Sequence, residues 1–189
     1  MRALVVVVCL VATGGCLDDE LDPSMASTTN DVFIALQRDF QTFRSWTRIQ
    51  VGEAEVVGGH PAGPRFVYLS RAPVDGEFPV GTLIVKTTEL GEPATWKIHA
   101  RVKRGGGFNA RGAIDWEWFD LRINASDEAL LMWRGERPPA NHGYESLPGL
   151  GATSSMDGDC NSCHVAARDS DFILAPAVRA LFTPAASAP

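Results

Sequence analysis

The chain has 189 residues, 45% of them apolar and 21% charged, the ordinary mix of a folded domain rather than of a disordered, fibrous or coiled-coil chain. A formal charge of −6 at pH 7 offers none of the basic footprint that nucleic-acid binding needs, so no nucleic-acid partner is expected. With the terminal segments set aside, one domain of roughly 150 residues remains, long enough to bury its own core.

The chain begins Met1-Arg2, continues with the apolar run 3–12 and reaches Cys16 through Thr13-Gly14-Gly15. One positive charge, a short apolar stretch and small residues form the pattern of a secretory signal, expected over 1–15. The apolar run is too short to remain as a membrane-spanning helix. Small residues directly before a cysteine resemble a bacterial lipobox, although Thr13 stands where an aliphatic residue is usual. Cys16 is therefore the expected lipidation site, giving an exported protein, periplasmic or on the outer surface, that meets the membrane through a lipid anchor only. Plain secretion and an uncleaved anchor are the alternatives. Residues 16–29, acidic and rich in small side chains, read as a flexible tether.

The folded domain is expected over 30–182. Asn30 can cap a helix, Asp31 suits its positive end, and Phe33, Leu36, Phe40 and Phe43 recur at helical steps, so a helix is expected from Asn30 to about Trp46. Residues 51–64, dense in Gly and Pro, read as loop. Short strands are expected at 65–70 and 82–88. The clearest strand is 95–104, where Trp96, Ile98, Ala100 and Val102 alternate with Lys97, His99, Arg101 and Lys103, so that one face is buried and the other is wet or lines a site. Gly105-Gly106-Gly107 lacks the following Lys-Ser/Thr of a phosphate cradle and reads as a hairpin turn. It leads into 115–124, where Glu117, Phe119, Leu121 and Ile123 oppose Trp116, Trp118, Asp120 and Arg122. A further strand is expected at 128–134, then loop over 138–156, then helical stretches at 165–169 and 172–182 interrupted near Pro176. Residues 183–189 read as a frayed, disordered tail. The fold class expected is α+β: mainly antiparallel β-sheet, with an N-terminal helix and a helical C-terminal segment.

Four cysteines divide among separate tasks: Cys9 in the signal, Cys16 at the lipid site, and Cys160 with Cys163 in one C-x-x-C. None remains for a structural disulfide. Cys160-Asn161-Ser162-Cys163-His164 is a complete C-x-x-C-H, the attachment signature of c-type haem. The spacing lets two thiols meet the two vinyl groups while His164 binds the iron. One covalent haem c is thus the expected cofactor, held by Cys160, Cys163 and His164, with His164 as metal ligand. A thioredoxin-like pair wants a strand before it and a helix after it, half a zinc site wants further ligands, and a chance match is the bland alternative. No Met or His follows His164, so the usual downstream sixth ligand is missing and a five-coordinate iron with an open face is expected. Upstream, Met132, Met156, His60, His99 and His142 are the alternatives, each more often a core or surface residue.

Phe78-Pro79-Val80-Gly81-Thr82-Leu83-Ile84-Val85-Lys86, then Val102-Lys103-Arg104-Gly105, then Asp115-Trp116-Glu117-Trp118-Phe119, and finally 160–172 resemble the cytochrome P460 family in order and content, over roughly 40–181. The C-terminal block is the most specific part. The resemblance implies a mostly antiparallel sheet, often in a homodimer. It implies an oxidoreductase acting on small nitrogen compounds such as hydroxylamine or nitric oxide, passing electrons to an external acceptor. The alternative it carries is the related cytochromes c′-beta, which bind nitric oxide or carbon monoxide, or exchange electrons with a donor, without that chemistry. The enzymes add a covalent bond from a lysine to the haem edge, and Lys86 is the residue offered for that catalytic role; a solvated charge is the bland reading. They also use a distal carboxylate, for which Glu117, Glu136 and Glu145 are available without a motif to choose among them, surface exposure being the ordinary alternative for each. A lipoprotein whose haem is purely structural is a third reading.

Overall fold

The computed structural model describes residues 31–54, 63–137 and 160–182. The expected signal, Cys16, the tether, the tail, and His60, His142, Glu145 and Met156 lie outside these residues.

Among the described residues six strands follow one another as a meander: β1 (Thr47–Ala54), β2 (Gly63–Leu69), β3 (Leu83–Thr88), β4 (Lys97–Lys103), β5 (Trp116–Ile123) and β6 (Ala129–Gly135). Each pairs antiparallel with the next, so the sheet order is the chain order. The chain is thus mainly antiparallel β with a few short helices. Strand β4 has the expected alternation: Ile98, Ala100 and Val102 join one core cluster, whose β5 members are Phe119, Leu121 and Ile123. Trp116 and Trp118, on the opposite face of β5, belong to a second cluster with Val67, Leu69 and Ile84. Both faces are covered, which is why β5 is buried at seven of its eight positions instead of at every other one.

The cover on the first face corrects one expectation. In place of a helix over 30–46 there are two 3-10 turns, Gln37–Phe40 and Phe43–Ser45. Residue 32 bridges Gly105, and Phe33 N–H donates to the Arg104 carbonyl at 2.9 Å, so the preceding segment lies against the sheet. A Cβ on Gly105 would stand 2.2 Å from the Asp31 carbonyl oxygen, a close approach that only glycine permits. The aromatic spacing still serves burial, because Phe40 packs on Phe119 and Phe43 meets Tyr68 edge-on, each at 5.2 Å between ring centroids. Leu36, expected on the same apolar stripe, is exposed.

Strand β1 occupies the start of the stretch expected as loop. Thr47-Arg48-Ile49-Gln50-Val51 alternates β-branched and polar residues, and pairing with β2, with a bulge between Gln50 and Gly52, absorbs the glycine. Residues 93–95, the edge of the expected 95–104 strand, form a 3-10 turn before β4.

The second face is covered by the C-terminal segment. Helix α1 (Cys160–His164) is one turn, followed by a 3-10 stretch, Val165–Ser170, and by α2 (Pro176–Arg179). Pro176 starts α2 instead of interrupting a helix, since its missing N–H costs nothing at the first position. Between them Asp171 and Phe172 both adopt left-handed backbone, with φ of 48° and 60°. Phe172, Ile173 and Val178 are then buried against the sheet. Among the described residues, no helix is long and apolar enough to cross a membrane.

Candidate functional site

Cys160 and Cys163 sit three residues apart on the single turn of α1, so both project from the same side of it. Both are thiols, Cys163 exposed and Cys160 partly so. The residue between them that fixes the turn is Asn161, which is buried. Its Oδ1 accepts from Asn109 Nδ2 (2.7 Å), Ala113 N–H (3.1 Å) and Trp118 Nε1 (2.9 Å). Its Nδ2 donates to Asn109 Oδ1 (2.9 Å) and to the Glu136 carbonyl (3.1 Å). The amide thus ties α1 to β5, to the loop before β5 and to the end of β6. A Cβ on Gly112 would lie 2.2 Å from the Asn161 Cγ, so that loop needs glycine for the amide to enter.

His164 closes the motif. Its ring lies 4.8 Å from Trp118, centroid to centroid, and its Nδ1 is 2.7 Å from the Phe172 carbonyl. A carbonyl only accepts, so the short contact assigns the proton to Nδ1, which donates, and leaves the lone pair on Nε2. Burial, the Arg101 charge and the charge of Lys86 push the His164 pKa down to about 3 against the opposing pull of the Phe172 carbonyl, so the ring is neutral. A neutral imidazole with Nδ1 tied to a backbone carbonyl and Nε2 unprotonated is in the form that metal coordination requires.

The Phe172 carbonyl is held in place from behind. Asp171, buried, accepts from Lys103 Nζ (2.5 Å), Trp116 Nε1 (3.0 Å) and Phe78 N–H (2.9 Å). Those three bonds offset the cost of two successive left-handed residues, about 1–3 kcal/mol each. The tight turn aims the carbonyl back at α1. Arg101 Nη1 donates to the same oxygen at 2.7 Å and lies 3.2 Å from His164 Nδ1. Burial lowers the Arg101 pKa to about 10, opposed by Asp171 and Cys160, so the guanidinium remains charged at neutral pH.

Lys86 on β3 is partly buried, and its charge reaches both Cys163 and His164. Burial, then the charges of Arg65 and Arg101, lower its pKa to about 8, with Cys163 opposing. Lys86 pairs with His99, His99 with Asp120 and Asp120 with Trp133, forming one row across β3 to β6. His99 Nδ1 is 3.5 Å and Lys97 Nζ 3.7 Å from Asp120 Oδ1.

The structure therefore gathers Cys160, Cys163, His164 and Lys86, and adds Arg101, Asn161 and Asp171, which no motif marks; Asp120 lies in the sheet row of Lys86 and His99. Of the three glutamates considered, Glu117 is corrected on both counts. It is buried, not exposed, and on the opposite face of the sheet, where Arg134 binds it at 2.7 and 2.8 Å and Arg104 at 3.3 Å. Glu136 is exposed, and Met132 is half exposed. Among the described residues, no group of three or more His, Cys, Asp or Glu side chains is placed to hold a metal ion. Compared with protein-family models, with curated proteins and with solved structures, the chain matches none.

Proposed function

We propose that the chain is an exported, mono-haem c-type cytochrome of the cytochrome P460 type, oxidising a small nitrogen compound such as hydroxylamine or nitric oxide and passing the electrons to an external acceptor. The observation that carries this reading is the state of His164: a neutral ring, Nδ1 donating to the Phe172 carbonyl, beside two thiols on one helical turn. The donor set fits the group, since thioether attachment needs two thiols at this spacing and iron ligation needs an unprotonated Nε2. When bound, haem supplies an iron that exchanges single electrons and has one coordination position for a small ligand.

The remaining work falls to the chain. Asn161 fixes the angle of α1 on the sheet, and the Asp171 turn fixes the ring of His164 through the Phe172 carbonyl. Lys86, with an amine less basic than usual and within electrostatic reach of Cys163, is the side chain for the cross-link that separates the enzymes from their gas-binding relatives. Asp120 beside His99 is the carboxylate for proton transfer, in place of Glu117, Glu136 and Glu145. Export and the lipid anchor at Cys16 rest on the sequence of 1–16 alone.

The test is a denaturing gel of protein exported by a host equipped for cytochrome maturation. The wild-type band stains for haem peroxidase activity, and Cys163→Ser abolishes or strongly weakens the stain. Full staining of the Cys163→Ser band would reject the attachment site.

A further inference from the structure

We propose that Arg101 is a positioning residue that weakens electron donation by the His164 imidazole, because it draws on the same Phe172 carbonyl that holds Nδ1; the inference rests on the haem reading above. The two donors reach that oxygen at equal distance, 2.7 Å each, and their own nitrogens are 3.2 Å apart. A carbonyl oxygen has two lone pairs, so it can serve both. They are not equal partners: the guanidinium bond is charge-assisted and the stronger. It takes electron density from the oxygen that would otherwise polarise the imidazole N–H.

The sense of this effect follows from what stands behind a ligating histidine. A carboxylate partner raises the basicity of the ring and strengthens its donation to the metal. Here the partner is a neutral carbonyl already drawn on by a buried cation, which acts in the opposite sense. Arg101 cannot swing away, because its guanidinium lies 4.7 Å over the Trp116 ring and 5.9 Å from Trp118. Asp171, the acid whose charge acts on it, gives its oxygens to Lys103, Trp116 and Phe78. In a buried setting a charge this close to Nδ1 acts with little screening. A weakly donating ligand favours the ferrous over the ferric side of the one-electron couple, so Arg101 raises the share of ferrous iron at a given solution potential and makes the ferric form the readier electron acceptor.

The experiment uses the haem-loaded, exported protein as wild type, Arg101→Lys and Arg101→Gln. Redox titration is read as the ferrous-to-ferric ratio at one fixed solution potential. Arg101→Gln, which keeps an N–H donor but no charge, lowers that ratio at least tenfold, equal to 59 mV for one electron; Arg101→Lys stays closer to wild type. The iron–histidine stretching band in the resonance Raman spectrum of the ferrous form moves to higher frequency in Arg101→Gln. A haem-loaded Arg101→Gln with an unmoved ratio and an unmoved band overturns the assignment while leaving the haem reading intact. Should Arg101→Gln fail to fold, the wild-type band decides: a frequency typical of a neutral imidazole supports the inference, and one typical of an imidazolate-like ligand overturns it. A wild-type protein without haem overturns the underlying reading and this inference with it.

Discussion

His164 and Phe172 are joined by one hydrogen bond, from ring Nδ1 to backbone carbonyl at 2.7 Å, and that bond decides which nitrogen of the histidine keeps its lone pair. It also predicts the behaviour of the chain produced without haem. Nitrogen-15 chemical shifts of the His164 ring will show a protonated Nδ1 and a bare Nε2, unchanged from pH 8 to pH 5, because the pKa is held near 3. The folded pKa lies below the unfolded value of about 6.5, so the neutral ring favours folding above that value. Stability is lost as pH falls from about 6.5 towards 3, where only the unfolded chain takes up the proton. His164→Asn removes this part of the acid sensitivity. A ring that titrates near 6.5 would contradict the bond.

The Asn161 amide bonds α1 to Trp118 on β5, to the loop before β5 and to the Glu136 carbonyl, and truncating it leaves Trp118 Nε1, Ala113 N–H and Asn109 without that partner in a buried setting. Asn161→Ala should cost about 3 kcal/mol or more in urea unfolding, at about 1–3 kcal/mol per stranded group with partial relaxation. Haem loading should drop with it, since α1 loses its seat. Gly112→Ala should mimic the effect by pushing the amide out. Unfolding midpoints within error of wild type for both variants would refute the anchor.

Glu117 separates stability from the site. It is buried between Arg134 and Arg104 on the face away from α1, so Glu117→Gln removes the carboxylate that two partly exposed arginines share. A loss of about 1–3 kcal/mol is expected from chemical denaturation. The visible spectrum of whatever folded protein remains should be that of wild type. A changed spectrum at preserved stability would place the carboxylate at the site after all.

Lys86 distinguishes an enzyme from a binding module. Tryptic mass spectrometry of the haem-loaded protein should return a Lys86 peptide joined to the Cys160–Cys163 haem peptide, and Lys86→Arg should return the haem peptide alone. A Lys86 peptide recovered unlinked from wild type would point to nitric oxide or carbon monoxide binding as the function.

How much of this was legible in the sequence depended on how local the signal was. Strand β4 could be read residue by residue, because Ile98, Ala100 and Val102 alternate with His99, Arg101 and Lys103 and each side meets a different environment. The early helix misled, since Phe40 and Phe43 at helical spacing are served equally well by two 3-10 turns once residues 31–36 lie along the sheet. Strand β1 was hidden by Gly52, which a bulge accommodates. Cys160, Cys163 and His164 stand out by spacing alone, and the structure places them on one helical turn. Arg101 does not: its face was legible, but nothing local reveals that the Phe172 carbonyl returns to it across the fold. Asp171 was equally silent, because its left-handed backbone is imposed by Lys103, Trp116 and Phe78, none of them a near neighbour in the chain.

The most direct measurement is the intact mass of the mature protein, exported from a host equipped for cytochrome maturation and unfolded in acid before analysis. The expected mass exceeds that of the polypeptide by one haem, and the peptide carrying it spans Cys160 and Cys163. A mass equal to that of the processed polypeptide, lipidated or not, with both thiols open to alkylation, would contradict the haem reading.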